Sequence, residues 1–98
     1  MGVEVEGAAT PAAEAFVQGM KKMTREMAMQ LTGDADDADK DFAAMMIPHH
    51  QGAIDAAKVE LQYGKDPMLR EMAQKIIKAQ EEEIATLKKW RADTAPSE

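Results

Sequence analysis

Three long stretches of the chain carry apolar residues at intervals of three and four, the spacing that places side chains along one side of an α-helix. Each stretch is bounded by capping and helix-breaking residues. The predicted helices run from Pro11 to about Leu31, from about Asp37 to Tyr63, and from Pro67 to about Ala92. Thr10 and Asp66 are the expected N-caps of the first and third, and Gly33 and Gly64 the expected stops of the first and second.

These stripes predict an all-α fold, because each apolar face needs a partner and short connections make neighbouring helices antiparallel. We expect an up-down bundle of three to four helices over residues 11–92, with a flexible lead at 1–10 and a disordered tail at 93–98. Three helices would close a small core, and an apolar edge could also pair with a second copy. The core-facing residues are predicted to be Phe16, Met20, Met23, Met27 and Leu31; Phe42, Met45, Met46, His49, Ala53, Ala57 and Leu61; and Leu69, Met72, Ile76, Ala79, Glu83, Leu87 and Trp90.

Charge and composition exclude several classes of function. The net charge of −6 repels phosphate backbones, so nucleic acid is not an expected partner. No run of eighteen apolar residues exists, so no membrane span is predicted. The chain has no cysteine, which excludes disulfides, thiolate zinc sites, iron–sulfur ligation and a cysteine nucleophile.

The second predicted helix contains the segment MMIPHHQG, residues 45–52, with both histidines of the chain. Pro48 has no N–H for the carbonyl of Ala44, so the helix should kink or break there. Met45–His49 and Met46–His50 are two stacked i,i+4 pairs, which bring thioether sulfur and imidazole nitrogen to one patch.

Sulfur and imidazole without thiolate suit a soft monovalent ion such as Cu(I) or Ag(I). His49, His50, Met46 and Met45 are therefore the candidate metal ligands. The chain also has nine methionines against four leucines, whereas a bundle built for stability would favour leucine. The alternative is that the histidines are buried core residues with protein partners and the methionines fill gaps.

Glu83 is predicted to lie near the middle of the third apolar stripe, and Glu60 also faces inward on the helical wheel. A carboxylate in such a place must find a partner. Glu83 could accept a hydrogen bond from a histidine ring and fix its orientation, or it could reach water or bond Gln80 or Lys58.

The segments DFAAMMIPHHQGAIDAAKVELQYGKDP and LREMAQKIIKAQEEEIATLKKW resemble the domain-of-unknown-function family 305, over roughly residues 13–91. The resemblance implies a ferritin-like helical arrangement, a periplasmic or secreted location and, as in some members, copper binding. It assigns metal-candidate positions to Met46, His49 and His50 and polar positions to Gln51 and Glu83. Two methionines frequent in relatives are replaced here, by Ala56 and Leu87.

Three candidate functions can be compared on these residues. The first is a module that sequesters or transfers Cu(I) or Ag(I), with Met23, Met27 or Met72 completing the ligand set. The second is a di-iron enzyme, which is not expected because the Glu-x-x-His pairs of such sites are absent. The third is a structural or protein-interaction bundle with no metal role. If both nitrogens of each ring already have protein partners, the first loses its support.

Overall fold

The computed structural model describes residues 10–31 and 37–94 and shows three α-helices in that part of the chain: α1 (Pro11–Gln30), α2 (Ala38–Tyr63) and α3 (Pro67–Thr94). The described residues contain no strand, so the predicted all-α class is confirmed. Residues 1–9 of the predicted lead at 1–10, the stop at Thr32-Gly33 and the last four residues of the predicted tail lie outside the described residues. No described helix combines the length and the hydropathy that a membrane crossing requires.

The helices begin where side chains satisfy their first free N–H groups. Thr10 Oγ1 accepts from the Ala13 N–H at 3.1 Å, and Asp37 Oδ1 accepts from Lys40 at 3.2 Å. Asp66 Oδ2 accepts from the Leu69 N–H at 2.9 Å. The caps expected at Thr10 and Asp66 are therefore confirmed.

The third helix ends two residues beyond its predicted end at Ala92. Lys89 Nζ donates to Asp93 Oδ2 at 2.7 Å, one helical turn apart, and Thr94 Oγ1 donates to the Trp90 carbonyl at 2.8 Å. Both contacts hold the last turn in helical geometry. Asp93 and Thr94 therefore belong to α3 rather than to the tail that was predicted to begin at residue 93.

Pro48 does not divide α2, which is a single helix from Ala38 to Tyr63. The alternative of a break at Pro48 is therefore wrong, and the described chain has three helices rather than four. The proline ring is buried within the helix packing, where the contacts it makes offset part of the lost hydrogen bond to Ala44. Three antiparallel helices are compatible with a ferritin-like arrangement.

α2 is the centre of the molecule, with α1 packed against it on one side and α3 on another. Within the described residues no Cα atom of α1 lies within 8 Å of one in α3, so the three helices do not close around a common core. The buried apolar residues are correspondingly few and small: Ala43, Ala44, Ile54, Ala57, Ala73 and Ile84. α1 buries no residue completely.

The predicted stripes correspond only partly to the buried faces. Phe42 is 56% exposed, His49 is exposed, and Leu69 and Met72 are exposed on α3. Met68, in the first turn of α3, is 68% exposed. The reason is that α2 shares its burial between two partner helices, so its small residues, rather than one wide stripe, make the contacts.

Arg70 closes the turn between α2 and α3. Its Nη1 donates to the Leu61 carbonyl at 2.7 Å and to the Gly64 carbonyl at 2.9 Å, which satisfies acceptors left free at the end of α2. We expect Arg70→Met, which keeps the apolar stem, to lower the free energy of unfolding by about 1–3 kcal/mol. Urea denaturation measures this, with the exposed Arg25→Met as the matched control. Equal stability of the two variants would contradict a role for these bonds.

Candidate metal site

His49 opens into a cavity of about 430 Å³ between α1 and α2. α1 contributes Phe16, Met20 and Met23 to its walls, so two thioethers share the cavity with the imidazole. The remaining walls are small residues of both helices and Val59, and Asp55 is the other polar side chain. Among residues 10–31 and 37–94, no residue makes a hydrogen bond with the His49 ring, in contrast to His50.

The charged group nearest to this cavity is Asp55. Its Oδ1 accepts from Gln51 Nε2 at 3.1 Å, and its Oδ2 lies 3.9 Å from Lys22 Nζ on α1. The half-exposed Lys22 screens the carboxylate only partly, because surface ion pairs of this length are weak. The rim of the cavity therefore carries a carboxylate with a lysine ammonium beside it.

His50 faces the other neighbouring helix and is committed to protein partners. Its Nδ1 donates to the Met46 carbonyl at 2.7 Å, and its Nε2 lies 2.6 Å from Glu83 Oε2 on α3. Both partners are acceptors, so both contacts are hydrogen bonds only when the ring carries two protons. The structure thus places Glu83 against a histidine ring, in the position from which it could accept the predicted hydrogen bond. Glu83 remains 57% exposed, so the bond lies at the edge of the α2–α3 contact.

The adjacent histidines therefore have different surroundings although they are neighbours in the chain. Their ring centroids are 5.8 Å apart with an interplanar angle of 65°. That separation would permit a shared ion, but His50 would have to give up either Glu83 or the Met46 carbonyl. One ring is available to a metal as the structure stands, and the other is already bonded at both nitrogens.

The predicted sulfur ligands, Met45 and Met46, lie outside this cavity. Met45 and Met46 are both half-buried, and neither lines the α1–α2 cavity. Met45 lies one helical turn before His49, whereas Met46 lies one turn before His50 and uses its carbonyl to accept from that ring. The cavity instead contains Met20 and Met23. The four predicted ligands stay a prediction, because no contact of the structure tests them as a set.

The donor atoms on this surface fit a soft ion better than a hard one. Across residues 10–31 and 37–94, no three His, Asp or Glu side chains converge closely enough to hold a metal. Oxygen-preferring ions such as Mg²⁺ or Ca²⁺ need several such oxygens. A site at His49 would depend on thioether sulfur, which soft ions such as Cu(I) accept.

Sequence reasoning missed one feature of this site, the contact between the two helices at Gly52. The Met23 side chain lies directly over Gly52, so closely that a Cβ there would come within 2.8 Å of Met23 Cγ and nearer still to its sulfur. A glycine in the middle of a long helix was the available signal, because such a residue often marks a close approach.

The contact between His50 and Glu83 should stabilise the packing of α2 against α3 modestly. A double-mutant cycle with His50→Ala and Glu83→Ala isolates the pair from other effects of each change. We expect a coupling free energy of about 0.5–1 kcal/mol, because the carboxylate is largely in water. Zero coupling in urea denaturation would show that the contact contributes nothing to stability.

Comparison with known proteins adds a family but no function. The model of a family described as "Domain of unknown function (DUF305)" matches residues 3–91, nearly the whole chain. The chain therefore belongs to that family, as the resemblance indicated. No curated protein matches the chain.

Proposed function

We propose that this DUF305 domain binds a soft monovalent ion, Cu(I) or Ag(I), in the cavity between α1 and α2, and that it sequesters or transfers that ion in the cell envelope. The observation that carries the proposal is that His49, without a described hydrogen-bond partner, shares one cavity with the thioethers of Met20 and Met23. The envelope location rests on the resemblance noted above.

His49 would be the nitrogen ligand of this site and Met20 and Met23 its sulfur ligands. Met45, a predicted sulfur ligand, lies one helical turn before His49 on α2. His50 and Met46 would belong to the α2–α3 contact instead. The bound ion would join α1 to α2, two helices whose contact buries no large side chain of α1.

The chemistry of the cavity supports binding rather than catalysis. Thioethers remain neutral and keep their affinity for soft ions without losing a proton, in contrast to cysteine. The surrounding walls are mainly apolar, and the Asp55 carboxylate at the rim is the one charged group among the described residues that line the cavity. We assign the domain no enzymatic activity, an expectation that rests on the missing Glu-x-x-His pairs.

An anaerobic Cu(I) titration against a chromogenic chelator tests the proposal. The wild type should compete for Cu(I), and His49→Ala should weaken binding by more than the roughly 10- to 100-fold that loss of an outer-shell partner costs. His50→Ala is the matched control and should stay within about twofold of the wild type, because its ring lies outside the proposed ligand set. A wild type that never competes, or a His49→Ala variant that competes equally, would overturn the proposal.

A second candidate is an interaction bundle without a metal role, as the alternative sequence interpretation holds. Its support is the exposed apolar surface on the first turns of α3, where Met68, Leu69 and Met72 are 68%, 44% and 50% exposed. Scattered apolar residues are ordinary, but a contiguous patch marks a docking surface. Light scattering of the metal-free protein tests the predicted pairing of two copies: a dimer supports this candidate, and a monomer at high concentration argues against pairing.

A further inference from the structure

Two glycines line the α1–α2 cavity, Gly19 and Gly52. A neighbouring side chain, that of Met23, lies much closer to Gly52 than any side chain does to Gly19. A Cβ at position 52 would lie 2.8 Å from Met23 Cγ and 3.0 Å from Met23 Cβ, with the sulfur nearer than either. Real Cβ atoms do not approach this closely, so any larger residue at 52 would displace the Met23 side chain. Gly52 therefore determines where that thioether lies.

The space left by the missing Cβ of Gly52, which the Met23 side chain occupies, is close to His49. Residues 49 and 52 are three apart on α2, so they are neighbours on the helix surface. Both line the cavity together with Met23. Glycine within a helix lowers stability relative to alanine. The close contact with Met23 is the structural reason for a glycine at this position.

The second glycine of the cavity gives a contrast. Gly19, on α1, lines the same cavity, but a Cβ there would meet only Asp55 Cβ at 3.9 Å, an ordinary contact. Alanine at 19 would therefore move no potential ligand. Both glycines lie within helices and line the same cavity. They differ because the Met23 thioether occupies the space of the missing Cβ at Gly52 and no thioether does so at Gly19.

We propose that Gly52 is a positioning residue, which admits the Met23 thioether to the soft-metal site beside His49. This inference rests on the proposed function. Met23 is accordingly a ligand from α1, and the site spans two helices rather than lying within the MMIPHHQG segment alone.

The test is Gly52→Ala compared with Gly19→Ala in the same Cu(I) competition. Gly52→Ala should weaken binding by about 10- to 100-fold, as loss of a supporting contact does at other metal sites. Gly19→Ala should leave the affinity unchanged. Equal affinities of the wild type and Gly52→Ala, while His49→Ala has lost binding, would overturn this inference and leave the proposed function standing. Failure of the wild type to bind would instead overturn the proposed function.

A thermodynamic cycle separates displacement of Met23 from general damage. In a Met23→Ala background the long side chain is gone, so Gly52→Ala should change Cu(I) affinity by no more than about twofold. A further large loss in that background would contradict a role acting through Met23. Far-ultraviolet circular dichroism of each variant establishes that it is folded.

A spectroscopic readout identifies the sulfur directly. With methyl-¹³C methionine, Ag(I) should shift the Met23 methyl signal in the wild type and in Gly19→Ala. In Gly52→Ala the Met23 signal should no longer respond, while that of Met20 still does. A Met23 signal that is unresponsive in the wild type, or responsive in Gly52→Ala, would refute the assignment.

Discussion

Ag(I) should raise the free energy of unfolding of the wild type by about 4 kcal/mol when free Ag(I) is about 1,000 times Kd, because an ion bound only to the folded state stabilises it by mass action. His49→Ala should lose most of this gain. A 100-fold weaker site leaves a ratio of ten, which corresponds to about 1.4 kcal/mol at the same concentration. Urea denaturation with and without Ag(I) measures the gain within each variant, so the variant's own stability cancels.

The control for this experiment is His50→Ala. Its metal-dependent gain should match that of the wild type, although its stability without metal should be slightly lower through loss of the contact with Glu83. Thioethers of the unfolded chain also bind Ag(I), which reduces all the gains alike. Equal gains in the wild type and His49→Ala would mean that Ag(I) stabilises the fold from somewhere else.

Ile54→Ala should produce the largest loss of intrinsic stability, about 2–5 kcal/mol. Ile54 is 3% exposed and is the most buried large side chain among the described core residues, which are otherwise mainly alanines. Truncation leaves a cavity on the α2–α3 side that small neighbours cannot fill. Since domains of this kind have total stabilities of about 5–15 kcal/mol, the loss is a large fraction of the whole.

Thermal or urea denaturation of Ile54→Ala is compared with Met29→Ala, a truncation of a side chain that is 70% exposed. The control should stay within about 0.5 kcal/mol of the wild type. If the two variants were equally stable, the packing around Ile54 would not be the core of the protein.

Helix positions were predictable because their signals are local. Thr10 and Asp66 cap helices through contacts three residues away, and Pro11 and Pro67 occupy the first turns where proline is tolerated. The predicted end of α3 is two residues early because the polar composition of DTAPSE indicates a tail. The contact between Lys89 and Asp93 nevertheless stabilises a further part of the last turn. Of the two predicted effects of Pro48, a kink or a break, the break does not occur, because α2 continues through this residue.

The candidate site was predictable only in part, because its geometry depends on which helices are neighbours. The pattern MMIPHHQG indicated a surface where imidazole and sulfur meet, and Glu83 was expected to bond a histidine. The helical wheel placed His49 on the core face and His50 at its edge, whereas in the structure His49 is exposed and His50 is half-buried. The distinction comes from α1 packing on one side of α2 and α3 on another, which no short-range signal records.

The most direct test of the central claim is X-ray absorption at the copper edge of the Cu(I)-loaded wild-type protein. We predict that copper is bound by one imidazole nitrogen and by the thioether sulfurs of Met20 and Met23. The sulfur signal should be partly lost in Met23→Ala. Two imidazole nitrogens, or a spectrum without sulfur, would contradict a site built from His49 and the thioethers of α1.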